Sequence, residues 1–114
     1  MNPIPTARFE ELVGAALDEI PDALYEQLEN VAIVVEDEHA EDPELLGLYE
    51  GVALTDRADY WGVLPDKISI YRIPLCLLAQ DEDDLVEEIG VTVVHELAHH
   101  VGIDEETLHR LGWG

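Results

Sequence analysis

Residues Val94 to Glu106 read V-H-E-L-A-H-H-V-G-I-D-E-E, and the two histidines four apart decide what this segment must be. On a helix of 3.6 residues per turn, four steps return to within about 40° of the starting direction, so His95 and His99 leave one face a turn apart. Imidazoles stacked in this way can grip one ion. Glu96 follows His95 and projects toward the edge of the same face, where a carboxylate reaches a water on the metal without displacing it. That is the physical content of the H-E-x-x-H pattern.

The residues around the motif supply the rest of that helix. Leu85, Val86, Ile89, Val93, Val94, Leu97 and Val101 form an apolar face, with Glu88 and Thr92 on the line of the histidines, which predicts a helix from about Asp84 to Val101. The acidic run Asp81 to Asp84 suits its start, where carboxylates complement the helix dipole. Gly102 follows the last turn as a left-handed cap that sends the chain back toward the imidazoles. Asp104 then caps a last short helix through Leu111.

A catalytic zinc takes three protein ligands and leaves a position for water. His95 and His99 provide two. The spacing H-x-x-G-x-x makes Glu105 the preferred third, with Asp104, which also has a capping role, as the alternative. Zn2+ in such a site lowers the pKa of its water to about 7. Glu96 is then the general base, taking a proton and returning it to the leaving amine. Tyr49, Tyr60, Arg57 and Arg72 are unranked candidates for holding the oxyanion. His100 points about 140° from His95 and reads as a supporting or surface residue. His109 is a remote option for a fourth ligand.

Working back to the start of the chain, Phe9, Leu12, Val13, Ala16, Leu17 and Ile20 predict an amphipathic helix from Ala7 to Ile20, with Thr6 as its N-cap. Pro21 opens a second short helix to Leu28. Val31 to Val35 is a strand, apolar on both faces and hence expected at the centre of a sheet. Six of the nine residues from Glu36 to Glu44 are acidic, which favours a solvated loop over a second cation site at His39. Leu45 to Leu54 is apolar but punctuated by Gly47 and Gly51, as in an edge strand. Thr55 to Asp66 is rich in turn residues. Ile68 to Ile73 alternates as a half-buried strand that Pro74 stops, and Leu75 to Gln80 forms a helical turn.

Length and composition bound the function. At 114 residues and 47% apolar content the chain is one domain, residues 1–114. It carries 27 acidic and five basic residues, a formal net charge of −22, and Lys67 is its only lysine. This balance repels phosphate backbones and anionic lipid, so neither nucleic acid nor membrane is an expected partner. It also destabilises the compact state unless cations screen it. Equilibrium unfolding is therefore expected to show a gain in stability from dilute buffer to molar salt, and an unchanged midpoint would remove salt adaptation as the reason for the charge. Cys76 is the only cysteine, in an apolar run, so no intrachain disulfide forms and a cytoplasmic location is expected.

The pattern H-E-x-x-H-x-x-G-x-x-acid, His95 to Glu105, resembles the zincin metallopeptidases, specifically the very short bacterial zincin-like proteins sometimes called mini-zincins. The resemblance extends over essentially the whole chain, through L-L-G-L-Y-E-G (Leu45–Gly51), L-P-D-K-I-S-I-Y-R (Leu64–Arg72) and H-E-L-A-H-H-V-G-I-D (His95–Asp104). It implies a minimal zincin-like α+β fold, a small twisted mixed sheet with an active-site helix and flanking helices. The strand near Leu46 to Leu54 is then the edge to which an extended peptide pairs. By the same resemblance His95 and His99 are zinc ligands, Glu96 is the general base and the acid at 105 is the third ligand. Two features depart from the pattern. Glu105 stands where the family carries aspartate. The methionine turn found beneath the zinc in larger zincins of this type has no counterpart, which leaves Trp113 as a floor for the site or as a cover for the core. The expected function is peptide-bond hydrolysis on a peptide or protein substrate, with a homodimer as the assembly to test. The alternative is a zincin-like protein that is catalytically weak or inactive and serves as a protein-interaction module.

Overall fold

The helix that carries the histidines is the longest element, and both its ends are set by local chemistry. The computed structural model describes residues 1–51, 65–110 and 112–113. In it this helix runs from Glu82 to Val101. The Asp81 carboxylate accepts from the Asp84 N–H at 2.8 Å as its N-cap, and Asp84 in turn accepts from the Gln80 N–H at 2.9 Å. Gly102, at φ +80°, ends it, with the Ile103 N–H returning to Ala98 O at 2.9 Å. A side chain at Gly102 would be strained in that conformation, and the 103→98 bond is the Schellman closure.

In chain order the described helices are α1 (Thr6–Asp18), α2 (Asp22–Tyr25), α3 (Arg72–Leu78), α4 (Glu82–Val101) and α5 (Glu105–Arg110), with a 3-10 turn at Glu26–Leu28. The strands are β1 (Val31–Glu36), β2 (Gly47–Glu50) and β3 (Asp66–Tyr71). They form a mixed sheet in the order β1-β3-β2, with β1 parallel and β2 antiparallel to β3. The result is a small α+β zincin-like fold. Helix α1 packs on α4, and α4 lies against β2 and β3. Phe9, Leu75, Leu85, Ile89 and Val93 meet Ile68 and Ile70 of β3 in a core from which water is fully excluded. The α4 face that this core uses leaves His95 and Glu96 half-buried and His99 exposed.

Four expectations are corrected. Thr6 lies inside α1; the preceding Pro5 takes the cap position without a side-chain bond, its carbonyl accepting from the Phe9 N–H. Strand β1 is at a border of the described sheet, because β3 stands between it and β2, and its apolar residues are half-buried throughout. A run of β-branched residues specifies extended backbone with little solvent on either face, and it does not count neighbours. Pro74 does not stop β3, which ends at Tyr71; it sits buried in the first turn of α3, where a missing N–H costs nothing. Val101, expected on the apolar face, is 42% exposed at the last turn of α4. Of the expected edge strand, residues 47–50 form β2, while Val52 to Leu54 lie outside the described residues, as do Arg57, Tyr60 and Leu111.

Candidate active site

Helix α4 and the edge strand β2 approach each other closely enough to define a cleft. A Cβ built on Gly47 would fall 2.6 Å from Thr92 Cγ2, 3.2 Å from Ser69 O and 3.6 Å from Glu96 Cγ. The absent side chain is what lets the strand lie on the helix. Thr92 is itself fixed, donating from Oγ1 to Glu88 O at 2.8 Å. Beside this contact opens a cleft of about 410 Å³, lined by His95, Glu96 and His99 from α4, Glu88, Val91 and Thr92 one and two turns before them, and residues 42 and 44–47 leading into β2.

The H-E-x-x-H residues thus share one cavity, as the helical spacing requires. Glu96 is anchored rather than free: its Oε1 accepts the backbone N–H of Tyr49 at 3.1 Å. Tyr49 extends this tie away from the cleft. Its hydroxyl donates to Asp66 Oδ2 at 2.7 Å, and its ring stacks on His100 with centroids 3.9 Å apart. His100 Nε2 lies 3.7 Å from the same Asp66 oxygen. Strand edge, helix end and β3 are joined at one point. His95 has a different partner, with Nε2 2.9 Å from the carbonyl oxygen of Trp113.

The cleft is electronegative. Asp42, Glu44, Glu88 and Glu96 line it together with His95 and His99. Burial, and then the nearby carboxylates of Asp84 and Glu87, push the Glu88 carboxyl above its ordinary range. Such a cavity favours a cation over an anion.

The remaining expected site residues are dispersed. Asp104 caps α5, accepting from the Thr107 N–H at 2.8 Å, and its bonds to the Thr107 side chain and backbone hold its carboxyl below the usual range. Glu105 is exposed in the first turn of α5, and neither it nor Asp104 lines the cleft. Arg72 is committed elsewhere, to Asp37 at 2.9 Å and Ile4 O at 2.8 Å. His109 is exposed on α5. His39 accepts the N–H groups of both Glu41 and Asp42 on Nδ1, each at 3.1 Å, with its ring edge-on to Tyr71. It shapes the loop that leads to Asp42. The Trp113 indole lies against Gly90 in a groove bordered by α1 and α4, which is the core-covering role.

A model of the zincin-like metallopeptidase family matches residues 28–113. The chain belongs to the zincin-like metallopeptidase family. Among solved structures, a conserved hypothetical protein from Thermus thermophilus is similar at 24% identity and a TM-score of 0.55, over 86% of this chain and 94% of that one. At that identity the likeness concerns the fold alone. No curated protein matches the sequence. No helix among the described residues is long and apolar enough to cross a membrane.

Membership in the zincin-like family implies a metal, usually zinc. Two imidazoles one turn apart in a carboxylate-lined cavity are donors of the type that zinc takes. Among the described residues no group of three or more His, Cys, Asp or Glu side chains is assembled to hold an ion. The donor chemistry therefore fits, and His95 and His99 are the two residues of the cleft that would hold the ion. One cleft feature escaped the sequence. Glu88, seven residues before His95, was legible as a neighbour on the helix face, but nothing local marked the Tyr49 N–H as the partner of Glu96.

Proposed function

We propose that this zincin-like chain is a zinc-dependent peptidase acting on extended segments of peptide or protein substrates. The observation that carries the reading is that His95, Glu96 and His99 line one cleft against edge strand β2, with Glu96 held by a backbone N–H. His95 and His99 would hold the metal, with Glu105 as the third ligand and Asp104 as the alternative. When bound, zinc supplies Lewis acidity, lowering the pKa of a water to about 7 and polarising the scissile carbonyl.

The chain's own residues do the remainder. Glu96 accepts the proton of the attacking water and passes it to the leaving amine. The Tyr49 N–H orients that carboxylate through Oε1, so the base keeps its place beside the strand. An extended peptide would meet β2 on its flank away from β3, where Gly47 lines the cleft and no other described strand pairs with it. The acidic wall favours substrates with basic groups near the cleaved bond.

Elemental analysis of untagged protein purified without chelator tests the metal. Stoichiometric zinc is expected, lost in both His95→Ala and His99→Ala. Protein free of zinc under those conditions, or variants that keep it, would leave the histidines as structural side chains.

A further inference from the structure

A carbonyl oxygen only accepts, so the 2.9 Å contact between His95 Nε2 and Trp113 O places a proton on Nε2. A metal ligates a ring nitrogen through its lone pair, and in this arrangement Nε2 has none to give. The partner does not belong to the cleft. Trp113 lines the neighbouring groove with Leu12, Ala15 and Val86, whereas His95 lines the cleft of His99 and Glu96. The far nitrogen of His95 is thus engaged with a residue of the adjoining groove.

Trp113 is anchored at both its backbone and its ring. Its N–H bonds to Leu108 O at 2.8 Å and the Gly112 N–H to His109 O at 3.0 Å, with Gly112 at φ +85°. This is a Schellman end to α5, and it fixes the direction of the chain at residue 113. The indole rests on Gly90 so closely that a Cβ there would lie 3.1 Å from Cζ3. These anchors deliver the carbonyl to His95.

From this geometry we infer that the site takes zinc through His95 Nε2 and that docked Trp113 is an autoinhibitory latch on it: its carbonyl holds the proton on Nε2 and leaves the lone pair on Nδ1, so zinc binding and Trp113 docking compete for that nitrogen. The inference rests on the proposed zinc site and adds regulation to it. Competition of this kind is reciprocal. Freeing the latch tightens zinc, and zinc loosens the latch. The contact at stake is one intramolecular hydrogen bond, which corresponds to roughly a three- to tenfold change in affinity.

Zinc affinity, measured by competition with a chromophoric chelator on the full chain, tests the latch in Trp113→Ala and Gly90→Ala. The first removes the ring anchor; the second keeps the indole and pushes on it from below. Both are expected to bind zinc roughly three- to tenfold more tightly than the parent, with thermal melts confirming that each is folded. In a Trp61→Phe background, zinc is expected to shift the emission of Trp113 to longer wavelength as the indole leaves its groove. Unchanged affinity in both folded variants, with zinc bound by the parent, removes the latch and leaves the zinc site standing. Weaker binding in both would show that the carbonyl supports His95 as a ligand, and overturns the latch as well. No zinc in any form removes the site and the latch together.

Discussion

Glu96→Gln is expected to lower turnover of a cleavable peptide by about 10²- to 10⁴-fold, the range over which a positioned general base acts, with zinc content and melting temperature unchanged. The separation follows from the two jobs of this side chain. One is structural: Oε1 accepts the Tyr49 N–H across the gap between β2 and α4. A glutamine carbonyl oxygen of the same length can take that bond. The other, in the proposed mechanism, is chemical, because only the carboxylate can accept the water's proton and hand it to the amine. The proposed metal ligands His95 and His99 are untouched. Cleavage of a peptide library, read by mass spectrometry alongside zinc content, makes the comparison. Equal turnover in parent and variant would remove Glu96 as the base. A parent that binds partner proteins without cleaving them, with the same affinity as Glu96→Gln, would instead establish the interaction module.

What could be read from the sequence divides along a physical line. The acidic start of α4, the helix cap at Asp104 and the glycine turn at Gly102 were legible because each depends on residues within a few positions of one another. The shared face of His95 and His99 follows from the helical repeat alone. The position of β1 was not legible, since its burial depends on which strand pairs beside it and its own residues carry no record of that. Nor were the partners of the two motif residues. Tyr49 and Trp113 meet Glu96 and His95 through backbone atoms, and every residue type except proline offers the same N–H and carbonyl. Side-chain identity could not single them out. The third ligand is a similar case. Glu105 has the right spacing, but spacing after a glycine turn does not fix where a side chain in the next helix points, and Glu105 faces solvent in the first turn of α5.

Gly47→Ala tests the contact that brings strand and helix together, and it should destabilise the chain by about 1–3 kcal/mol, the usual cost of one extra group in a packed site. The origin is steric alone. Gly47 is not among the glycines at positive φ, which are Gly102 and Gly112 in the described residues, so its backbone conformation is open to alanine. What the new methyl meets is Thr92 Cγ2 at 2.6 Å, a separation that side-chain carbons do not sustain, and Ser69 O at 3.2 Å behind it. Thr92 cannot turn away freely, because its hydroxyl is bonded to Glu88 O. The strand must lift instead, which lengthens the Tyr49–Glu96 bond and loosens that carboxylate. Thr92→Ser removes Cγ2 and keeps the hydroxyl, so Gly47→Ala should cost less in that background than in the parent. The rescue is expected to be partial, since Ser69 O is backbone and stays in place. Chemical denaturation of the four proteins in the cycle gives the coupling between the two sites directly. If the two substitutions add without coupling, the cost of Gly47→Ala does not come from the β2–α4 contact, and the close approach of Gly47 to Thr92 does not set the width of the cleft.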